Sequence, residues 1–229
     1  MNTSETNNFI ALIPAYNESS CISEVIAATK LSLDVLVIDD GSSDDTAEQA
    51  RQAGAKVLSQ GKNQGKGVAL RAGFAYALEG ENQAVITLDA DGQHDPVEIP
   101  KFLRAFQEKR PNLIIGQRDF SQMPPIRRLA NSIGQWSFSW ALGQHVPDNQ
   151  SGYRLIDHTM MRAMLNSKEA GFEFEVDMIV TCAILGLNIS WVPIQTIYRG
   201  ESSHIHAYDH IVNYFRILYH TRRRIAQSR

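Results

Sequence analysis

The chain has 229 residues, 43% of them apolar and 21% charged, with 15 Gly and 8 Pro. That composition suits one α/β domain with elaborations and excludes a disordered, collagen-like or coiled-coil chain. Cys21 and Cys182 make no Cys-x-x-Cys or Cys/His spacing, so neither a disulfide scaffold nor a zinc site is expected, and a reducing cytosol is the simple setting. The formal charge of -3 is unevenly spread, since residues 1–116 carry 10 basic and 16 acidic side chains and residues 196–229 carry 6 and 2. A basic tail on an acidic body suits either a polyanionic partner or a solvated helix end.

The polar first eight residues lack the basic flank and long apolar core of a signal peptide, which points to a chain that is not translocated. Phe9 to Pro14 and Val35 to Asp39 are short runs rich in β-branched residues, separated by a helical stretch that Ser19 or Ser20 would cap; the pattern predicts a βαβ unit. A helix over Asp44 to Gly54, a strand over Lys56 to Leu58, a helix over Gly67 to Leu78 and a strand over Ala84 to Leu88 continue the alternation. An amphipathic helix from Pro96 to about Lys109 and a strand over Leu113 to Gly116 follow, after which the rhythm breaks. Strands alternating with helices predict a mostly parallel sheet flanked by helices, with ligands at the carboxyl ends of its strands.

Two uncharged stretches, Leu129 to Pro147 and Met178 to Tyr198, approach the length of a membrane span. Gly186, Asn188 and Pro193 divide the second into a helix ending near Leu185 and a strand over Ile189 to Ile194. In the first, Ile126, Leu129, Ile133, Trp136 and Trp140 share one helical stripe among polar residues, which predicts a helix lying on something apolar rather than spanning it.

Chemistry concentrates where strands end. Asp89-Ala90-Asp91 would direct two carboxylates to one side if the segment is extended, a costly pairing unless a hard cation or a shared proton lies between them. Oxygen ligands suit Mg²⁺ or Mn²⁺, and Gln93 supplies a third oxygen if the extension continues. Asp39 and Asp40 end another strand, where carboxylates accept bonds from ribose or base; the bland reading is a capped turn. Pro14, Ala15, Tyr16, Asn17 and Glu18 give a rigid turn, an aromatic plate and an acid. The turn Gly61 to Gly67, which contains Lys66, leads into a helix and suits anions, but it fits neither the Walker pattern nor G-x-G-x-x-G.

Five motifs stand in order: P-A-Y-N-E at 14–18, D-D-G-S-S-D-D-T at 39–46, N-Q-G-K-G at 63–67, D-A-D-G-Q-H-D-P at 89–96 and Q-S-G-Y-R at 150–154. Over about residues 9 to 200 the chain resembles the family 2 glycosyltransferases of GT-A fold, in the branch of dolichol-phosphate mannose synthase and bacterial polyprenyl-phosphate glycosyltransferases. The resemblance implies one GT-A catalytic domain over 1–229, with a nucleotide-sugar-binding half at 9–116, an acceptor half at 117–200 and a basic amphipathic helix at 201–229. It implies that Pro14, Tyr16, Glu18 and Asp39 line a nucleoside pocket with help from Asp40. Lys66 and Ala90 would join the donor site, and Asp89, Asp91 and Gln93 would hold the metal on the donor diphosphate. Arg118 and Arg154 would bring positive charge to phosphates; the alternatives are a surface residue and a structural pair.

The implied reaction is an inverting sugar transfer from a nucleotide-diphosphate sugar, whose departing charge a divalent metal and Arg would stabilise. A glycan hydroxyl acceptor needs a base, for which Glu173, Glu175 and Asp177 are candidates, unless they only complement a helix N-terminus. A polyprenyl phosphate arrives ionised and needs cations instead. Arg127 and Arg128 beside the Trp stripe, and Ile211, Phe215, Leu218 and Ile225 beside Arg216 and Arg222 to Arg224, suit interfacial helices on the inner face of an anionic membrane; packing on the core or on a second copy is the alternative. Where polyprenyl-phosphate members carry a G-x-S-K type sequence, Gly200 is followed here by Glu201, Ser202 and Ser203, with His204 or His206 as a replacement for the Lys. No nucleic-acid partner is expected, because the body is acidic and the tail short.

Overall fold

The computed structural model describes residues 8–119, 125–171, 173–195, 219 and 221–227, with the side chains of 125–131 outside that description. In chain order the elements are β1 (Phe9–Ala15), α1 (Ile22–Thr29), β2 (Asp34–Asp39), α2 (Thr46–Gln52), β3 (Lys56–Ser59), α3 (Lys66–Glu79) and β4 (Ala84–Thr87). They continue with α4 (Ile99–Lys109), β5 (Leu113–Arg118), α5 (Pro125–Leu142), β6 (Arg154–Asp157), α6 (His158–Met164), α7 (Glu173–Ile184) and β7 (Ile189–Ile194). The strands form one sheet in the order β3-β2-β1-β4-β6-β5-β7. All neighbours run parallel except at β6, which lies antiparallel to both β4 and β5.

Period-two alternation sorts β1 between two cores. Ile10 and Leu12 join the cluster that holds Leu70 and Phe74 of α3, Met160 and Met161 of α6, Ile179 of α7 and Phe138 of α5. Ala11 and Ile13 join the opposite cluster, with Ile22 and Val25 of α1 and Phe102 and Phe106 of α4. Both faces of the sheet are therefore covered, as parallel strands require.

The structure departs from the sequence expectation at three elements. Neither Ser19 nor Ser20 caps α1; Cys21 precedes it with no side-chain cap, and the amides of Cys21 and Ile22 donate instead to the Glu18 carbonyl at 3.1 and 3.0 Å. Strand β6 and helix α6 had no counterpart in the sequence reading. A buried arginine opens β6, so the segment lacks the apolar run that marks an inner strand.

Candidate active site

The loops after β1 and β2 are stitched together by short polar side chains. Asn17 Oδ1 accepts from Ser43 N at 2.8 Å, and Ser42 Oγ accepts from Asn17 N at 3.0 Å. Thr46 Oγ1 accepts from Glu18 N at 2.8 Å and donates to Asp44 Oδ1. That bond, with those from Thr46 N and Ser19 N, lowers the Asp44 carboxyl to about 2. Asp39 is buried and accepts from Ser42 N at 3.0 Å.

Asp40 joins the loop after β2 to the glycine-rich turn, its two carboxylate oxygens accepting from Gln64 N at 2.9 Å and Gly65 N at 2.7 Å. Gly65 has φ +98, and a Cβ there would lie 2.5 Å from the Ala170 carbonyl oxygen, so only glycine fits the step into α3. The next residue, Lys66, sends its ammonium between two carboxylates, 2.5 Å from Asp89 Oδ1 and 2.8 Å from Glu175 Oε1. Burial alone would lower the Lys66 pKa, but Asp89 and Glu175 outweigh it and hold it above the usual lysine range. Burial likewise raises Asp89, and the opposing charges of Lys66 and, more weakly, Arg118 hold it below the usual carboxylate range.

After β4 the backbone turns at Ala90 and Asp91, with Gly92 at φ +73, so the extension assumed for Gln93 stops short of it. Gln93 N donates to Asp91 Oδ1 at 2.9 Å, which makes this acid a turn-former as well. His94, whose role the sequence left unassigned, accepts from Asp89 N through Nδ1 at 3.0 Å and lies 5.0 Å from the Tyr153 ring. Burial lowers its pKa, and an accepting Nδ1 fits the neutral imidazole.

A cavity of about 380 Å³ opens at these strand ends. Of the expected donor-site residues, Pro14, Tyr16, Glu18, Asp40, Lys66, Asp89, Ala90 and Asp91 line it, as do Asn63 and Gly171. Asp39, Gln93, Arg154 and Glu175 are not among its lining residues. Arg154 is 1% exposed and donates to the carbonyls of Ser151, Glu175 and Asn149. This placement matches the structural alternative for Arg154, its fork holding three backbone carbonyls. Glu175 is buried on Lys66, and Asp177 accepts from Ser167 Oγ and pairs with Arg224. A buried carboxylate already paired to an ammonium is a poor proton acceptor, so the expectation of Glu175 as a base does not fit its position.

Arg118 ends β5 and pairs with buried Asp148 through Nε at 2.7 Å and Nη2 at 3.0 Å. It lines a second cavity of about 490 Å³ with Gln117, Asp119, Gln135, His145 and Pro147. Among the described residues no three His, Cys, Asp or Glu side chains form a group suited to a metal ion. Mg²⁺ and Mn²⁺ need less: one or two carboxylates suffice when substrate phosphates supply further oxygens. Asp89 and Asp91 on one cavity wall fit that donor set.

The Trp stripe of α5 faces outward. Ile133, Trp136 and Trp140 are 56%, 72% and 61% exposed, while Phe138 and Leu142 of the same helix are buried. The helical segment 221–227 packs alongside, with the Arg222 guanidinium 5.0 Å from the centre of the Trp140 ring, Ile225 buried in the core and Arg224 paired with Asp177. Ile225 and Arg224 thus belong to the protein body rather than to an outward face. The side chains of Ile126, Arg127, Arg128 and Leu129, and all of Gly200, His204, His206, Ile211, Phe215, Arg216 and Leu218, lie outside the described residues. Among the described residues no helix is long and apolar enough to cross a membrane.

Comparison with known proteins agrees with this architecture. The family model described as glycosyl transferase family 2 matches residues 10–169. An undecaprenyl-phosphate mannosyltransferase of Micrococcus luteus is 32% identical over 210 residues, spanning 84% of this chain and 86% of that protein. A UDP-N-acetylglucosamine–dolichyl-phosphate N-acetylglucosaminyltransferase of Methanococcus voltae is 29% identical over 217 residues, spanning 83% and 86%. The crystal structure of glucosyl-3-phosphoglycerate synthase from Mycobacterium tuberculosis, in complex with Mn²⁺, UDP-glucose and phosphoglyceric acid, superposes with a TM-score of 0.72 at 20% identity, covering 93% of this chain and 78% of that one. At that identity the likeness is one of fold, and the fold is the expected GT-A arrangement. With a family model spanning most of the sheet and a relative above 30% identity along nearly its whole length, the chain belongs to glycosyl transferase family 2.

Proposed function

We infer that this chain moves a sugar from a nucleotide-diphosphate sugar to a polyprenyl phosphate, with inversion at the anomeric carbon. One arrangement carries the reading: an acid-lined cavity at the ends of β1, β2 and β4 neighbours a separate cavity holding Arg118, on the flank of a helix whose outer side exposes Trp136 and Trp140. Arg118 is among the charges that lower Asp89, so the two cavities lie within electrostatic reach of one another. The names of the Micrococcus and Methanococcus relatives support this class of acceptor.

In this reading Tyr16, Glu18 and Asp40 face the nucleoside, with Pro14 shaping the turn and Asp39 bracing it from beneath. Asp89 and Asp91 would hold Mg²⁺ or Mn²⁺, which would supply positive charge against the departing diphosphate, while Gln93 braces Asp91 through its backbone amide. Arg118 places the acceptor phosphate. Such a phosphate carries its nucleophilic oxygen already ionised near neutral pH, so the burial of Glu175 costs the reaction nothing. The outward Ile133, Trp136 and Trp140, beside Arg222 and Arg223, suit a peripheral seat on an anionic bilayer.

The test supplies labelled UDP- and GDP-sugars, Mn²⁺ and a short-chain polyprenyl phosphate. Label should pass into the organic phase, and Asp91→Ala should abolish transfer while leaving cooperative unfolding intact. Label appearing only on a water-soluble glycan would replace the acceptor assignment with a hydroxyl one.

A further inference from the structure

Asp89 offers its two oxygens to very different surroundings. Oδ2 lies 3.8 Å from His94 Nδ1 and beside Gly152, where an added Cβ would come within 2.9 Å of it. Oδ1 is the oxygen that Lys66 takes at 2.5 Å, and Lys66 and Asp89 both line the donor cavity. Glu175, Lys66's other partner, does not line that cavity and is 5% exposed. The ammonium therefore has one anchor behind the wall and one on it. A divalent cation drawn to Asp89 from the cavity meets the lysine already on that carboxylate. Two cations on one carboxylate oxygen repel strongly at such range, whereas the bond to Glu175 survives if Lys66 leaves Asp89.

We propose that Lys66 is an exchangeable cation of the donor site: it holds Asp89 until the divalent metal takes that carboxylate, then stays tethered to Glu175 and turns its ammonium to the donor diphosphate. The idea rests on the donor-site reading above and adds the order in which charges change partners. Neutralisation of Asp89 passes from Lys66 to the metal, and the released ammonium offsets the extra negative charge that the nucleotide brings. Metal uptake and nucleotide uptake thereby become mutually reinforcing, because each supplies what the other displaces.

The experiment measures MnCl₂ binding by electron paramagnetic resonance, with and without UDP or GDP, in the wild type and in Lys66→Gln and Lys66→Arg, each checked for cooperative unfolding. Lys66→Gln should bind free Mn²⁺ about tenfold more tightly than the wild type and lose most of the gain that the nucleotide confers. Lys66→Arg, whose rigid fork grips a carboxylate in two places, should bind free Mn²⁺ more weakly than the wild type. In the unaltered chain, saturating Mg²⁺ should raise the reactivity of the Lys66 amine toward an acylating reagent, read by mass spectrometry. Mn²⁺ affinity unchanged or weaker in folded Lys66→Gln, or Lys66 reactivity indifferent to Mg²⁺, overturns the exchange while leaving the donor site standing. Failure of the wild type to take up Mn²⁺ with either nucleotide overturns the metal assignment and the exchange together.

Discussion

The amide of Ser43 donates to the side-chain oxygen of Asn17 at 2.8 Å, so the loop after β1 and the loop after β2 are held as one wall of the donor cavity. Asn17 also has φ +57, a left-handed backbone that asparagine tolerates better than most residues. Asn17→Ala loses both advantages and should cost about 2 kcal/mol, one part for the bonds and one for the backbone. Donor KM should rise more than kcat falls. Asn17→Gly separates the two effects, since it restores the backbone alone; equal loss in both variants would show that the hydrogen bonds carry the whole effect.

Acid should loosen the same wall. The Asp44 carboxyl is lowered to about 2 by Thr46 and Ser19, so its contribution is complete above the ordinary aspartate value near 3.8 and is lost as pH falls through the folded value. Asp44 is exposed, so solvent screens the effect and the contribution is modest. Asp44→Asn should be less stable than the wild type at pH 6, with the gap closing between about pH 4 and pH 2. Urea unfolding across that range checks it; a constant gap would remove the carboxylate from the explanation.

A side chain at Gly152 would displace three charged side-chain ends, because a Cβ would lie 2.8 Å from Glu175 Oε1, 2.9 Å from Asp89 Oδ2 and 3.0 Å from Lys66 Nζ. Gly152→Ala should therefore destabilise by about 1–3 kcal/mol, the usual cost of overpacking. It should also weaken nucleotide binding in a thermal-shift series, because two of the three displaced charges, Asp89 and Lys66, line the donor cavity.

Trp136→Ser and Trp140→Ser should leave stability almost untouched, within about 0.5 kcal/mol for the first and up to about 1 for the second, which gives up the contact with Arg222. Flotation with vesicles containing anionic lipid should fall sharply in the double variant. Unchanged flotation would return the stripe to the alternatives of a second copy or an uninvolved surface.

The half of the fold built on hydrophobic period was plain in the sequence. Runs such as Val35 to Asp39 bury nearly every residue and announce their strands, and the acids just beyond them line the cavity as strand-end logic requires. Less legible was whatever tertiary contact decides. Arg154 resembles a free cation in a motif, yet its burial between β4 and β5 turns it into a clasp for three carbonyls. Glu175 looks like a base at a helix start until Lys66, more than 100 positions earlier, is found beside it. His94 gave no signal of its own, because its work is to accept one backbone amide. The Trp stripe was visible as a stripe, but periodicity alone does not say whether such a face points inward or out.

The placement of β6 has a consequence for biosynthesis. In the sheet β5 lies between β6 and β7, so a nascent chain that has emerged as far as residue 150 holds β1 to β3 with all their strand partners and β4 with one of its two, while β5 waits for strands still to be made. The amino-terminal unit can mature during translation, whereas the centre of the sheet closes only when Arg154 to Asp157 slides between β4 and β5. Ribosome stalling just before that segment should leave an apolar strand edge bare, the kind of intermediate on which chaperones act.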